Sequence, residues 1–145
     1  MSNDIYSIDK RSEIMSRIRS SNTTPEIRLR KKLYHKGYRY RISPKDLPGK
    51  PDIVLYKYNV AIFVHGCFWH QHKKCKKSVI PKSNVDFWKS KFNKNIERDN
   101  KNIEDLKRKG WRVFIAWECE INEDIDYVIY RINKFILQNE SNKKL

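Results

Sequence analysis

The chain has 145 residues, enough for one domain with its own core. Hydrophobic residues make up 39% and aromatics 12%, which excludes a charged, disordered tail, and 32 Lys and Arg against 17 Asp and Glu leave a formal charge of +15. No apolar run approaches the roughly eighteen residues of a membrane span, and the polar stretch Met1 to Arg11 is no signal peptide.

The cationic excess points to a polyanionic partner, with nucleic acid first and an anionic membrane second. A merely solvated basic surface is the plainer alternative. The 3 cysteines are odd for a disulfide framework and fit reduced thiols inside a cell.

In chain order, residues 1–8 and 139–145 read as loose tails of a single domain spanning 1–145. Asp9 to Arg19 fits a basic helix, with Ile14 and Ile18 on one face and Met15 beside them. Thr24 suits an N-cap and Pro25 a first helical position; Leu29 and Leu33 give the apolar face, and Gly37 is the stop. Tyr38 to Ile42 alternates as a strand. Ser43 to Pro51 is a loop. Asp52 to Tyr56 is a second strand, and a turn at 57–59 returns Val60 to His65 antiparallel. Ser83 or Asn84 caps a long helix ending at Gly110, with Trp88, Phe92, Ile96, Ile103 and Leu106 as its stripe. Trp111 to Trp117 is a fourth strand, and the intervening helix predicts parallel pairing with the third. Asn122 caps a last helix carrying Ile125, Val128, Ile129, Ile132 and Ile136. The predicted class is α/β, a mixed sheet flanked by helices.

The segment from His65 to Cys75 carries the chemistry. Cys67, His72 and Cys75 are spaced C-x4-H-x2-C, and Cys119 follows the fourth strand. Parallel neighbouring strands bring these groups to one end of the sheet. Thiolates and imidazole are zinc donors, and four of them leave no open position, so the metal is expected to be structural. The alternative is a small buried Cys119 and free thiols.

His65 and His70 are not needed for that metal. Asp52 opens its strand at the same sheet end as His65, where it is either a turn residue or a magnesium ligand. Asp99 interrupts the apolar stripe of the long helix, and a carboxylate facing the sheet needs a partner. His65 or His70 supplies one. Glu26 lies in a first helical turn, where a carboxylate favours the dipole and a capping box. Phe68 and Trp69 sit among ligands and lysines (Lys73, Lys74, Lys76, Lys77, Lys82), a composition suited to stacking on bases and holding phosphates. Trp88 fits either that surface or the core.

These residues resemble the very-short-patch repair (Vsr) mismatch endonucleases of bacteria. The matching stretches are Pro48-Gly49-Lys50-Pro51-Asp52, His65-Gly66-Cys67-Phe68-Trp69-His70, Asn95-Ile96-Glu97-Arg98-Asp99, Gly110-Trp111-Arg112-Val113 and Trp117-Glu118-Cys119. The resemblance implies a restriction-endonuclease-like, PD-(D/E)xK-type fold with a structural zinc. It implies magnesium-dependent nicking of duplex DNA on the 5′ side of the T in T:G mismatches left by deamination of 5-methylcytosine, initiating very-short-patch repair. Asp52 and the carbonyl of Val64 would hold magnesium. His70 would be the general acid/base, with His65 and Asp99 assisting and Glu26 as an outer-shell group. Zinc would take Cys67, His72, Cys75 and Cys119. Phe68, Trp69 and Trp88 would insert from the major groove and Met15 from the minor groove. The implied setting is a monomer in the bacterial cytoplasm, nucleoid-associated through DNA, alongside other mismatch-repair proteins and away from membranes. Two features depart from the wider pattern: Phe63-Val64-His65 stands where an acid-x-Lys is usual in the superfamily, and two residues, not the one of some relatives, separate His72 from Cys75. A zinc-stabilised DNA-binding module without cleavage and a restriction-type nuclease without mismatch preference are the alternatives.

Overall fold

The computed structural model describes residues 23–73 and 75–143. The helix predicted over Asp9 to Arg19, with Met15, lies outside the described residues, as does Lys74. Helix α1 spans Thr24–His35 and buries Glu26, Leu29 and Leu33. Its N-cap is Thr23 rather than Thr24, and Thr23 makes no side-chain cap bond. Pro25 therefore falls one position further in, still within the first turn, where its missing N–H leaves no bond unmade. The helix unwinds at Gly37, whose φ of +97° suits glycine.

The predicted strand over 38–42 shrinks to β1, Arg41–Ile42. Tyr38 and Tyr40 are drawn to the helices: the Tyr38 hydroxyl donates to Asn133 Oδ1, and the Tyr40 hydroxyl donates to the Arg30 carbonyl at 2.9 Å. Strand β2 is Ile53–Leu55; a 3-10 turn over Tyr56–Tyr58 and left-handed Asn59 lead into β3, Val60–His65. Pairing is antiparallel, with Ile53 opposite Ile62. Helix α2, Val85–Arg108, crosses over to β4, Arg112–Trp117, which pairs parallel to β3. The sheet order is β1-β2-β3-β4.

The end of the chain differs from expectation. Helix α3, Glu118–Glu123, starts directly after β4, and α4 runs Ile125–Lys143. The break is at Asp124, whose Oδ1 accepts the Tyr127 N–H at 3.2 Å, so Asp124 and not Asn122 caps the last helix. The helix also continues through residues 139–143, predicted as tail.

Alternation along β3 distributes the core to both sheet faces. Val60 and Ile62 join Leu29, Leu33, Phe114, Ile121 and Ile132 on one side. Ala61 and Phe63 meet Leu106 of α2 on the other, with Val113 and Ile115 packed against them. A fully buried Ile or Leu in these layers contributes roughly 2 kcal/mol. Among the described residues no helix is long and apolar enough to cross a membrane.

The loop before β2 is pinned to α2 at Gly49, with φ +74°; a Cβ there would lie 2.8 Å from Asn102 Cβ. Gly49→Ala is expected to lower the unfolding free energy by about 2–3 kcal/mol in urea titrations. Gly37→Ala, where an added Cβ meets nothing within 4 Å, should lose only about 1 kcal/mol, the backbone cost alone. Equal losses would mean that the Gly49 contact with α2 is not tight.

Candidate functional site

The ends of β2, β3 and β4 and the middle of α2 enclose a cleft of about 940 Å³, with Asp52, His65, His70, Asp99 and Glu118 on its walls. Asp52 precedes β2, and the antiparallel register sets it beside the end of β3. Its Oδ2 accepts the Val64 N–H at 2.6 Å. Burial, helped by the negative field of Glu26, pushes its carboxyl up to about 7 despite that hydrogen bond. Glu26 is itself buried in the first turn of α1, with Arg30 Nη1 3.5 Å from its carboxylate. Asp52 is thus a largely buried acid short of positive charge, which is the condition a divalent cation relieves with oxygen ligands.

His65, the last residue of β3, is buried. After Gly66 the chain coils back: His70 N–H donates to the Gly66 carbonyl at 3.1 Å, and His72 N–H donates to that of Cys67 at 3.0 Å. This coil lays the His70 ring flat on His65, centroids 3.8 Å apart and planes within 5°. Asp99 meets His70 directly, with Nδ1 2.5 Å from Asp99 Oδ2, and the ligand atoms of His65, His70 and Asp99 lie within 4.8 Å of one another. Burial alone would raise the Asp99 carboxyl. The His70 hydrogen bond and the charges of His70, His65 and Arg98 outweigh it and hold Asp99 below its usual value. An ionised Asp99 accepts from Nδ1, which leaves Nε2 of His70 to exchange a proton with anything in the cleft.

Cys67, His72, Cys75 and Cys119 converge, their ligand atoms all within 4.8 Å of one another. His72 Nδ1 lies 3.7 Å from Cys67 Sγ and 3.4 Å from Cys119 Sγ. Burial pushes the Cys67 thiol up to about 12 and raises Cys119 as well. The three thiols are close enough to interact with one another, and a soft cation placed among them would deprotonate and bind them. His65, His70 and Asp99 form a second group with metal-ligand spacing.

Two residues to which the sequence assigns no role of their own also join these centres. Glu118 Oε1 accepts the Cys67 N–H at 3.2 Å and also lines the cleft. Asn95, buried in α2, donates Nδ2 to the Trp69 carbonyl at 3.3 Å and accepts from Arg98 Nη2 at 2.9 Å. Trp117 bridges both groups: its ring stacks on His72 at 4.1 Å and meets His65 edge-on at 5.2 Å.

Phe68, Trp69, Trp88 and Phe92 pack together largely edge to face. Trp69 and Trp88 are buried, 5% and 1% exposed, so of the three expected DNA-facing rings only Phe68 is partly open in the free chain. Lys91 Nζ lies 4.9 Å above the Trp69 ring. Lys73, Lys76 and Lys82 are exposed.

Residues 3–77 match the family described as DNA mismatch endonuclease Vsr. The chain is 41% identical to the DNA mismatch endonuclease Vsr of Escherichia coli over 118 residues, which is 81% of this chain and 75% of that protein. The chain belongs to the Vsr family. The type II nicking enzyme V.NmeAIP of Neisseria meningitidis is 51% identical, with 81% of this chain and 84% of that enzyme covered. Among solved structures, the catalytic domain of the homing endonuclease I-Bth0305I is similar at a TM-score of 0.56 and 26% identity, covering 81% of this chain and 97% of that one.

Two outcomes are expected for this Vsr family member. Asp52 remains protonated in the fold up to about pH 7, whereas in the unfolded chain it ionises near 4. Stability is therefore lost as pH rises from about 4 to 7 and stays lost above. With magnesium omitted, Asp52→Asn should match the wild type at pH 4 and exceed it by on the order of a few kcal/mol at pH 8. Denaturant midpoints across that range measure this, and an advantage that shrinks with pH would contradict it. Cys119→Ser should lower the bound-metal content of purified protein, read by elemental analysis; undiminished content would remove Cys119 from the ligand set.

Proposed function

We propose that this chain is a DNA mismatch endonuclease that nicks duplex DNA on the 5′ side of the T in T:G mismatches arising by deamination of 5-methylcytosine, initiating very-short-patch repair. The observation carrying the reading is the convergence of Asp52, His65 and the His70–Asp99 pair in one cleft beside the Phe68-Trp69 loop. The relatives, a mismatch endonuclease and a nicking enzyme, support it.

The fold is read as restriction-endonuclease-like, with the acid-x-Lys replaced by Phe63-Val64-His65. Zinc fits the Cys67, His72, Cys75 and Cys119 donor set, three sulfurs and one imidazole nitrogen with no position left for chemistry. Magnesium fits Asp52, with the carbonyl of Val64, another residue of the cleft wall, as a second oxygen donor. Bound there, magnesium would supply positive charge to the phosphate under attack.

His70 is the general acid/base. Asp99 holds Nδ1, so Nε2 takes a proton from water or returns one to the leaving oxygen. His65 supports the His70 ring from behind, and Glu26 sets the charge around Asp52. The exposed lysines hold phosphates. Phe68 leads the wedge, with Trp69 and Trp88 behind it and Met15 on the minor-groove side. Unstacking a base step costs roughly a few kcal/mol, least where pairing is faulty, so a ring wedge favours a mismatched step.

A duplex with one T:G pair, incubated with magnesium, should be nicked far faster than the matched duplex. Asp52→Ala should bind the mismatched duplex normally and fail to nick it. Equal cleavage of the matched duplex would reject mismatch preference; binding with no nick by the wild type would favour a non-cleaving DNA-binding module.

A further inference from the structure

We propose that Arg98 is a further catalytic residue, whose guanidinium holds a non-bridging oxygen of the phosphodiester being cut. The inference rests on the endonuclease reading above. In phosphodiester hydrolysis a water oxygen bonds to phosphorus and gives up a proton. One ester P–O bond breaks, its electron pair leaves with the sugar oxygen, and that oxygen takes a proton. Negative charge gathers meanwhile on the non-bridging oxygens and needs fixed donors aimed at it. Strand β3 ends in His65 and carries no lysine, so a fixed side-chain cation at the phosphate comes from another element.

Three cations line the cleft: Lys45, Lys50 and Arg98. Lys45 and Lys50 lie in the loop before β2, and among the described residues no hydrogen bond fixes either ammonium. Arg98 is different. It projects from the middle of α2, a 24-residue helix, one position before Asp99. Its Nη2 is tethered to Asn95 Oδ1 at 2.9 Å, and Asn95 is buried and bonded in turn to the Trp69 carbonyl. Asn95, Arg98 and Asp99 therefore grip the Trp69-His70 dipeptide from one helical wall.

A guanidinium has five N–H donors in a planar fork that matches phosphate oxygens. The Asn95 contact occupies one edge, and among the described residues Arg98 forms no ion pair. The rest of the fork stays exposed beside the cleft that holds His70 and Asp52. A phosphate reached by His70 Nε2 is thus met by a cation pre-positioned on a rigid element, at no cost of ordering a long side chain during the reaction.

Single-turnover nicking of a T:G duplex with saturating protein tests this. Arg98→Ala should nick on the order of a hundredfold or more slowly, with duplex affinity within about threefold of wild type. Its thermal unfolding should match wild type, since the side chain is exposed. Arg98→Lys should recover part of the rate, and guanidinium ion added to Arg98→Ala should raise nicking while leaving Asp52→Ala inactive. Nicking by Arg98→Ala within about twofold of wild type overturns the proposal. So does a rate loss that neither Lys nor guanidinium restores in any part, because Arg98 would then act only by positioning Asn95. Wild-type nicking in the same assay separates either result from a failure of the endonuclease reading.

Discussion

Six residues of β3 pair in parallel with six of β4, from Val60 opposite Arg112 to His65 opposite Trp117. That register sends both strands out of the sheet at the same end. His65 and Trp117 leave side by side, and each is followed by what the site needs: Gly66 to Cys75 on one strand, Glu118 and Cys119 on the other. The antiparallel β2 adds Asp52 from its start. Were β4 antiparallel, Cys119 would lie at the far end of the sheet, beyond reach of Cys67 and His72.

Around that shared end the loop is held by local turns, by the Glu118 bond to the Cys67 amide, by the packing of Phe68 and Trp69 on Trp88 and Phe92, and by the four-residue ligand cluster. The cluster and the histidines interleave along eleven residues, His65 to Cys75, and Trp117 touches a member of each. Whatever fixes Cys67, His72 and Cys75 also fixes the Phe68-Trp69-His70 tripeptide between them. From the other side α2 holds the same tripeptide through Asn95 and Asp99. The His70 ring is thus held by its backbone, by His65 beneath it and by Asp99 at Nδ1.

Much of this was legible in the residues. The apolar run of β3, the tight turn before it and the crossover-length helix gave the hairpin and the parallel pair. Asp99 stood out because a carboxylate broke an apolar stripe. The inward face of α2 departs from the apolar stripe: Ile96 is exposed while Asn95 is buried, and Asn102 lies against Gly49 while Ile103 lines the cleft. The inward line is therefore Trp88, Phe92, Asn95, Asp99, Asn102 and Leu106, in alternating steps of four and three. Apolar residues occupy its two ends and polar ones its middle. Hydrophobicity points to Ile96, whereas the spacing of Trp88, Phe92 and Asp99 points to Asn95. The short β1 and the burial of Trp69 were not legible, since each depends on contacts between distant segments.

The Glu118 bond joins residues 51 apart in sequence, and the Cys119 approach to His72 joins residues 47 apart. Contacts of that separation close late, after local helices and the hairpin have formed. Asp52, the histidines and Asp99 all leave the ribosome before Cys119 does. During synthesis these side chains thus emerge before the strand and the cysteine that pack against their loop.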